Sequence, residues 1–154
     1  MSESSSPIAL VVVPVTPFAQ NCSVIACTAT SRAAVVDPGG DLDAIDAVLN
    51  EHAFTLEKVL VTHGHLDHCG QAAEFAERHA VLIEGPHHED AFWIDQLPGQ
   101  GARYGFPPLR AFVPSRWLDD GDVVTVGSLS FEVFHCPGHT PGHLVFFQRE
   151  ARIA

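Results

Sequence analysis

Runs of β-branched and small apolar residues alternate with amphipathic stretches along this chain, and their order predicts its elements. Residues 8–13 form a β-branched run that reads as a strand. Residues 24–27 and 33–36 read as two more, joined by a turn over 28–32. Asp37-Pro38-Gly39-Gly40 breaks the pattern. Leu42, Ile45, Val48 and Leu49 then recur at helical spacing, which predicts a helix to about His52 with Asp41 as its N-cap. Residues 58–62 make a short apolar strand of the kind buried on both faces. A helix follows from about Cys69 to His79, with Ala72, Ala73, Phe75 and Ala76 on its apolar side. Residues 81–83 read as a strand and 87–96 as a short helix. The stretch 98–114 holds four prolines and three glycines, the composition of a long surface loop. Long loops in compact domains often act as lids. Residues 123–126 and 129–134 form a hairpin around Gly127-Ser128, 143–148 is another strand, and 152–154 starts one more. Strands, two βα units, then strands again suit a layered α/β architecture with mixed sheets.

Composition narrows the class. The 154 residues are 46% hydrophobic and 18% charged, which predicts one globular domain over 7–154 behind a disordered polar tail, 1–6. The formal net charge of −11 repels phosphate backbones and anionic lipid, so neither nucleic acid nor membrane is an expected partner. Cys22, Cys27, Cys69 and Cys136 form no C-x-x-C pair, and each reads as a small buried hydrophobe. The N-terminus lacks a basic leader region, and the apolar run 8–13 is cut short by Pro14. A cytoplasmic location is expected.

The chemistry is concentrated in two loops that follow apolar strands. Thr62-His63-Gly64-His65-Leu66-Asp67-His68 packs three imidazoles and a carboxylate into six positions. Such donors suit borderline metals. Alternate residues of extended backbone share a face, so His63 and His65 can reach one ion. Asp67 and His68, on the turn that follows, can reach a second ion nearby, which is how a two-metal hydrolase site is assembled. Gly64 and Gly70 are expected to let the backbone turn tightly there. The second loop, Cys136-Pro137-Gly138-His139-Thr140-Pro141-Gly142-His143, supplies His139 as a third imidazole for the first ion. His143 is expected to orient a ligand by hydrogen bond. His52 and His79 fall near helix C-termini, His87 and His88 read as surface residues, and His135, facing opposite to Cys136 on its strand, reads as a structural residue.

These residues resemble the metallo-β-lactamase superfamily. Thr62–His68 fits its T-H-x-H-x-D-H signature, and Val36-Asp37-Pro38-Gly39-Gly40 and Pro137-Gly138-His139-Thr140-Pro141-Gly142-His143 fit at the expected distances. Pro14-Val15-Thr16-Pro17-Phe18, Gln20-Asn21-Cys22 and Glu84-Gly85-Pro86-His87 are similar to the short, glyoxalase II-like branch of hydroxyacylglutathione hydrolase type. The resemblance implies an αββα sandwich with metals at one edge. It implies a first zinc on His63, His65 and His139 and a second on Asp67 and His68, with iron or manganese as other candidates. A metal-bound hydroxide, oriented by Asp67, would attack a thioester such as S-(hydroxyacyl)glutathione and release a hydroxy acid and a thiol. The family pattern adds a bridging Asp and a final His, and no residue before Ala154 fits either, so a fold incomplete at its C-terminal end is expected. Two other outcomes follow from the same residues: an iron-dependent persulfide dioxygenase on this scaffold, or a metal-binding fragment without turnover. The acidic balance disfavours a nuclease, and the lack of a secretion signal disfavours an antibiotic-degrading enzyme.

Overall fold

The structure, a computed structural model, describes residues 6–154. The expected tail lies outside these residues except for Ser6, whose carbonyl accepts a hydrogen bond from Thr28 Oγ1. Five strands make the larger sheet in the order β1 (Ile8–Val15), β2 (Gln20–Cys27), β3 (Arg32–Val36), β4 (Thr55–Leu60) and β5 (Leu82–Glu84). The first three pair antiparallel, and β3, β4 and β5 run parallel. The parallel pairs are connected through α1 (Leu42–Glu51) and through α2 (Leu66–Cys69) with α3 (Ala72–His79). A smaller antiparallel sheet holds β6 (Val123–Val126), β7 (Leu129–His135) and β8 (Leu144–Phe147).

Both faces of β3 and of most of β2 are buried, which is why these strands read as apolar runs rather than as alternation, whereas Leu10 and Val12 of the edge strand β1 are exposed. Cys22, Val24, Ala33, Val35 and Val59 face the helices and pack against Ile45, Leu49, Phe75 and Leu97. Their neighbours Ile25, Ala34, Val36 and Leu60 face the smaller sheet and pack against Val124, Phe131, Val133 and Leu144. Helices, large sheet and small sheet thus form three successive layers, and Val123 and Phe134 are exposed on the outer side of the small sheet.

Several boundaries differ from the expected ones. Pro14 does not end β1, because β1 is an edge strand and a missing donor costs nothing on an open side. Asp41 is the N-cap residue by position, but it is left-handed (φ 50°) and its carboxylate accepts from Thr16 N–H at 2.7 Å instead of capping α1. The expected helix from Cys69 is broken at Gly70-Gln71 into α2 and α3. The segment read as a long loop contains a helix, α5 (Leu97–Tyr104), directly after α4 (Ala91–Asp95). Pro98 lies in its first turn, where a missing N–H is harmless, and Gly105 ends it at φ 73°. Gly101 is buried against Leu109, whose Cδ1 would lie 2.9 Å from any added Cβ. The further strand expected over 152–154 is a single bridge between Gln148 and Ile153.

Candidate metal centre

Every loop that carries the expected chemistry leaves the same end of the sheets. Asp37 follows β3, Thr62 to His68 follow β4, His87 to Asp90 follow β5, and His139 to His143 lie between β7 and β8. Parallel strands place ligand sites at their carboxyl ends, because that is where successive loops converge.

His63, His65 and His139 meet there with their ring centroids 4.8 to 4.9 Å apart, each pair edge-to-face. One ring nitrogen from each lies within 4.8 Å of the others. Three imidazoles in a near-equilateral triangle leave one side of the site open. His63 is 2% exposed, and its Nε2 is buried without a hydrogen-bond partner. Its Nδ1 is 2.8 Å from Thr62 Oγ1. That hydroxyl donates to Asp37 Oδ2 at 2.6 Å, so it accepts from Nδ1–H, and the Nε2 lone pair is left free. Burial, followed by the neighbouring imidazoles His68, His65, His143 and His139, pushes His63 down to a pKa of about 2. Burial and His139 likewise lower His65. A buried imidazole with a free Nε2 lone pair, set beside two further imidazoles within ligand reach of one another, is a donor set that fits a divalent metal.

Asp67 and His68 lie side by side, with Oδ2 and Nε2 3.5 Å apart. The His68 ring is 4.1 Å from that of His63. Its Nδ1 is 2.8 Å from Asp37 Oδ2. Burial lowers the His68 pKa, but the Asp37 hydrogen bond and the Asp37 and Asp67 charges outweigh it, and the net shift is upward. The pair therefore stands beside the triangle, with His68 held between two carboxylates. The ring of His143 is 5.1 Å from His63 and 6.0 Å from His139. Among the described residues it shows contact rather than the expected hydrogen bond to either of them.

Two residues with central places were given no role by the sequence. Asp37, 5% exposed, accepts from Thr62 N–H at 2.8 Å as well as from Thr62 Oγ1 and His68. It holds His68 directly and His63 through Thr62, and one of its oxygens also lies within 4.8 Å of a ring nitrogen of each. Asp90 is fully buried and accepts from Gly64 N–H at 2.8 Å, Thr140 Oγ1 at 2.7 Å and Gly142 N–H at 2.7 Å. It ties the two histidine loops together. Nothing local marks it, because its partners lie 26, 50 and 52 positions away.

This tie also corrects the reading of Gly64. It is not a turn residue: a Cβ there would meet Trp93 Cβ at 2.7 Å and the Asp90 carbonyl at 3.0 Å, so the position demands space. His87 is buried, not superficial, with its ring stacked on His135 at 3.9 Å. The loop after β5 folds back onto the end of β7, and the two His87 nitrogens are engaged by Glu89 N–H and Asp119. Cys22, Cys27 and Cys69 are buried as expected, but Cys136 is exposed because it lies on the outer loop beyond β7.

Residues 15–154 match the model of the metallo-beta-lactamase superfamily. The chain is 40% identical, over 93% of its length, to hydroxyacylglutathione hydrolase GloC of Haemophilus influenzae, and covers 68% of that protein. It is 36% identical over 86% of its length to hydroxyacylglutathione hydrolase of Halorhodospira halophila, and covers 45% of it. The structure superposes on the crystal structure of BLEG-1, a B3 metallo-beta-lactamase, with a TM-score of 0.80 at 27% identity, covering 92% of this chain and 68% of that one.

Proposed function

We propose, for a chain that belongs to the metallo-beta-lactamase superfamily, that the centre binds divalent metal and hydrolyses S-(hydroxyacyl)glutathione thioesters. The observation that carries this reading is the buried, unpartnered Nε2 of His63 at one corner of the imidazole triangle. The names of the Haemophilus influenzae and Halorhodospira halophila relatives supply the substrate class. His63, His65 and His139 hold one ion in this reading, and Asp67 with His68 hold a second. The metal is zinc, and the enzyme acts in the cytoplasm.

A divalent cation bound there supplies Lewis acidity and makes a coordinated water acidic enough to ionise near neutral pH. The protein's own part is to fix proton positions. Thr62 and Asp37 keep a proton on His63 Nδ1, so Nε2 faces the site with its lone pair. Asp37 does the same for His68 through Nδ1. Asp67, half-buried, would orient the attacking water in this reading. Water consumed at the thioester carbonyl leaves as part of the hydroxy acid, and the thiol departs with a proton.

The test combines metal analysis with turnover. Wild-type protein is expected to carry zinc and cleave the thioester, and His63→Ala to lose both. Cys136→Ser is expected to keep its full metal content, since Cys136 lies outside the donor groups. Unchanged metal in His63→Ala refutes the site. Iron with oxygen uptake on a persulfide substrate would replace the hydrolase reading by the dioxygenase one, and metal without turnover would leave a binding protein.

A further inference from the structure

Gln20, the first residue of β2, is 7% exposed. Its Nε2 donates to the Asp37 carbonyl at 2.9 Å and to the Asp67 carbonyl at 2.8 Å. Both amide hydrogens are thereby used, one on each carbonyl. Turned over, the amide would set its oxygen against two carbonyl oxygens, so the nitrogen faces them. Oε1 is buried without a hydrogen-bond partner among the described residues. A buried acceptor left unmade costs stability, so what this side chain contributes lies in its two donors.

The two carbonyls belong to different loops: Asp37 follows β3, and Asp67 lies in α2. Gly39 lets these backbones touch, since a Cβ there would run into the Asp67 carbonyl and lie 3.2 Å from His68 N. Asp37 is anchored in its own right. Its N–H donates to Leu60 O at 2.9 Å, and its side chain holds Thr62 and His68. The α2 turn has less support of its own. It is four residues long and has no side-chain N-cap among the described residues. A single helical turn is marginal without tertiary contacts. Gln20 ties the main chain of that turn, at Asp67, to the anchored Asp37 loop. His63, Gly64 and Thr140 are held by Thr62 and Asp90 instead.

We propose that Gln20 is a positioning residue for the Asp67–His68 half of the centre. The inference rests on the reading that Asp67 and His68 hold the second ion. The Gln20 amide sets α2 against the Asp37 loop before any ion arrives. The Asp67 carboxylate and the His68 ring then need no gathering at the moment of binding. Ordering a segment on binding costs affinity, and prior order removes that cost. Loss of the amide therefore weakens the second ion selectively and leaves the imidazole triangle as it is.

The experiment titrates metal-free protein with zinc in competition with a chromogenic chelator. Gln20→Met keeps the volume of the side chain and removes both donors. His68→Ala identifies the second ion as the one it loses. Gln20→Met is expected to hold that ion roughly 10- to 100-fold more weakly and the other within about threefold of wild type. In the His68→Ala background, Gln20→Met should leave the affinity of the remaining ion unchanged, because the residue it acts through is gone. An equal loss at both ions, a full further loss in the His68→Ala background, or no loss at all overturns the proposal. If Gln20→Met does not fold, Gln20→Asn, whose amide is one methylene short of bridging both carbonyls, is read in the same way. Failure of both to fold makes Gln20 a requirement of the fold and overturns the proposal as well. Hydrogen exchange in metal-free protein separates this inference from the reading beneath it. The amides of His68, Cys69 and Gly70, which donate to His65 O and Leu66 O, are expected to exchange roughly tenfold faster in Gln20→Met. If they do while wild type binds no second ion, the clamp stands and the two-ion reading falls. If wild type binds two ions and that exchange is unchanged, the clamp falls and the two-ion reading stands.

Discussion

Asp37 shows how one side chain sets the state of several others. It is held at φ 59°, a left-handed conformation that Asp tolerates better than most residues. From there its two oxygens take three donors, one of them the Thr62 hydroxyl that in turn fixes the His63 tautomer. Thr62→Val keeps the shape of the side chain and removes that relay. Metal affinity is expected to fall roughly 10- to 100-fold, the usual effect of losing a group that orients a ligand. Competition against a chromogenic chelator measures it, and an unchanged affinity would show that Nδ1 is positioned by packing alone. The V-D-P-G-G run marked this position as a loop. The run does not reveal the role of Asp37, because the partners, Thr62 and His68, lie 25 and 31 residues on.

Elements meet at Asp90. The loop after β4 and the loop between β7 and β8 belong to different sheets, and the fully buried Asp90 carboxylate binds the backbone of both. Asp90→Ala leaves Gly64 N–H, Gly142 N–H and the Thr140 hydroxyl buried without an acceptor. The cost is expected to be about 3–5 kcal/mol, read as a lower denaturant midpoint with unchanged slope. A change below about 1 kcal/mol would mean that water replaces the carboxylate. The α5 helix is a different lesson at this scale. Its proline and glycines argue for a loop by propensity. Their positions in the first turn, at the Leu109 contact and at the C-terminus make each tolerable, while buried Leu97 anchors the helix.

Across the whole molecule, the candidate metal centre bridges the two sheets. His63 and His65 extend from the larger sheet, and His139 from the smaller one. Metal binding should therefore stabilise the packing of one sheet on the other as well as the loops. Metal at 100 times its dissociation constant contributes about 2.7 kcal/mol. Stripping it with a chelator is expected to lower the Tm by about 5–10 °C in a chain of this size. His63→Ala should show no such response, and an identical chelator effect in that variant would place the stabilising metal elsewhere. Among the described residues no helix is long and apolar enough to cross a membrane. The family model covers residues 15–154, and the chain spans 68% and 45% of the two hydroxyacylglutathione hydrolases it was compared with.

Local pattern was enough to reveal the strands of both sheets, the helices α1 and α3, and the spacing that brings His63, His65 and His139 to one end of the fold. Those features depend on periodicity and on ligand-type residues placed directly after apolar runs, and both are written within a few positions. The roles of Asp37 and Asp90, the exposure of Cys136 and the space needed at Gly64 depend on folding. Each is defined by groups that only the packing of loops from separate strands brings within hydrogen-bonding or van der Waals range, or, for Cys136, leaves exposed.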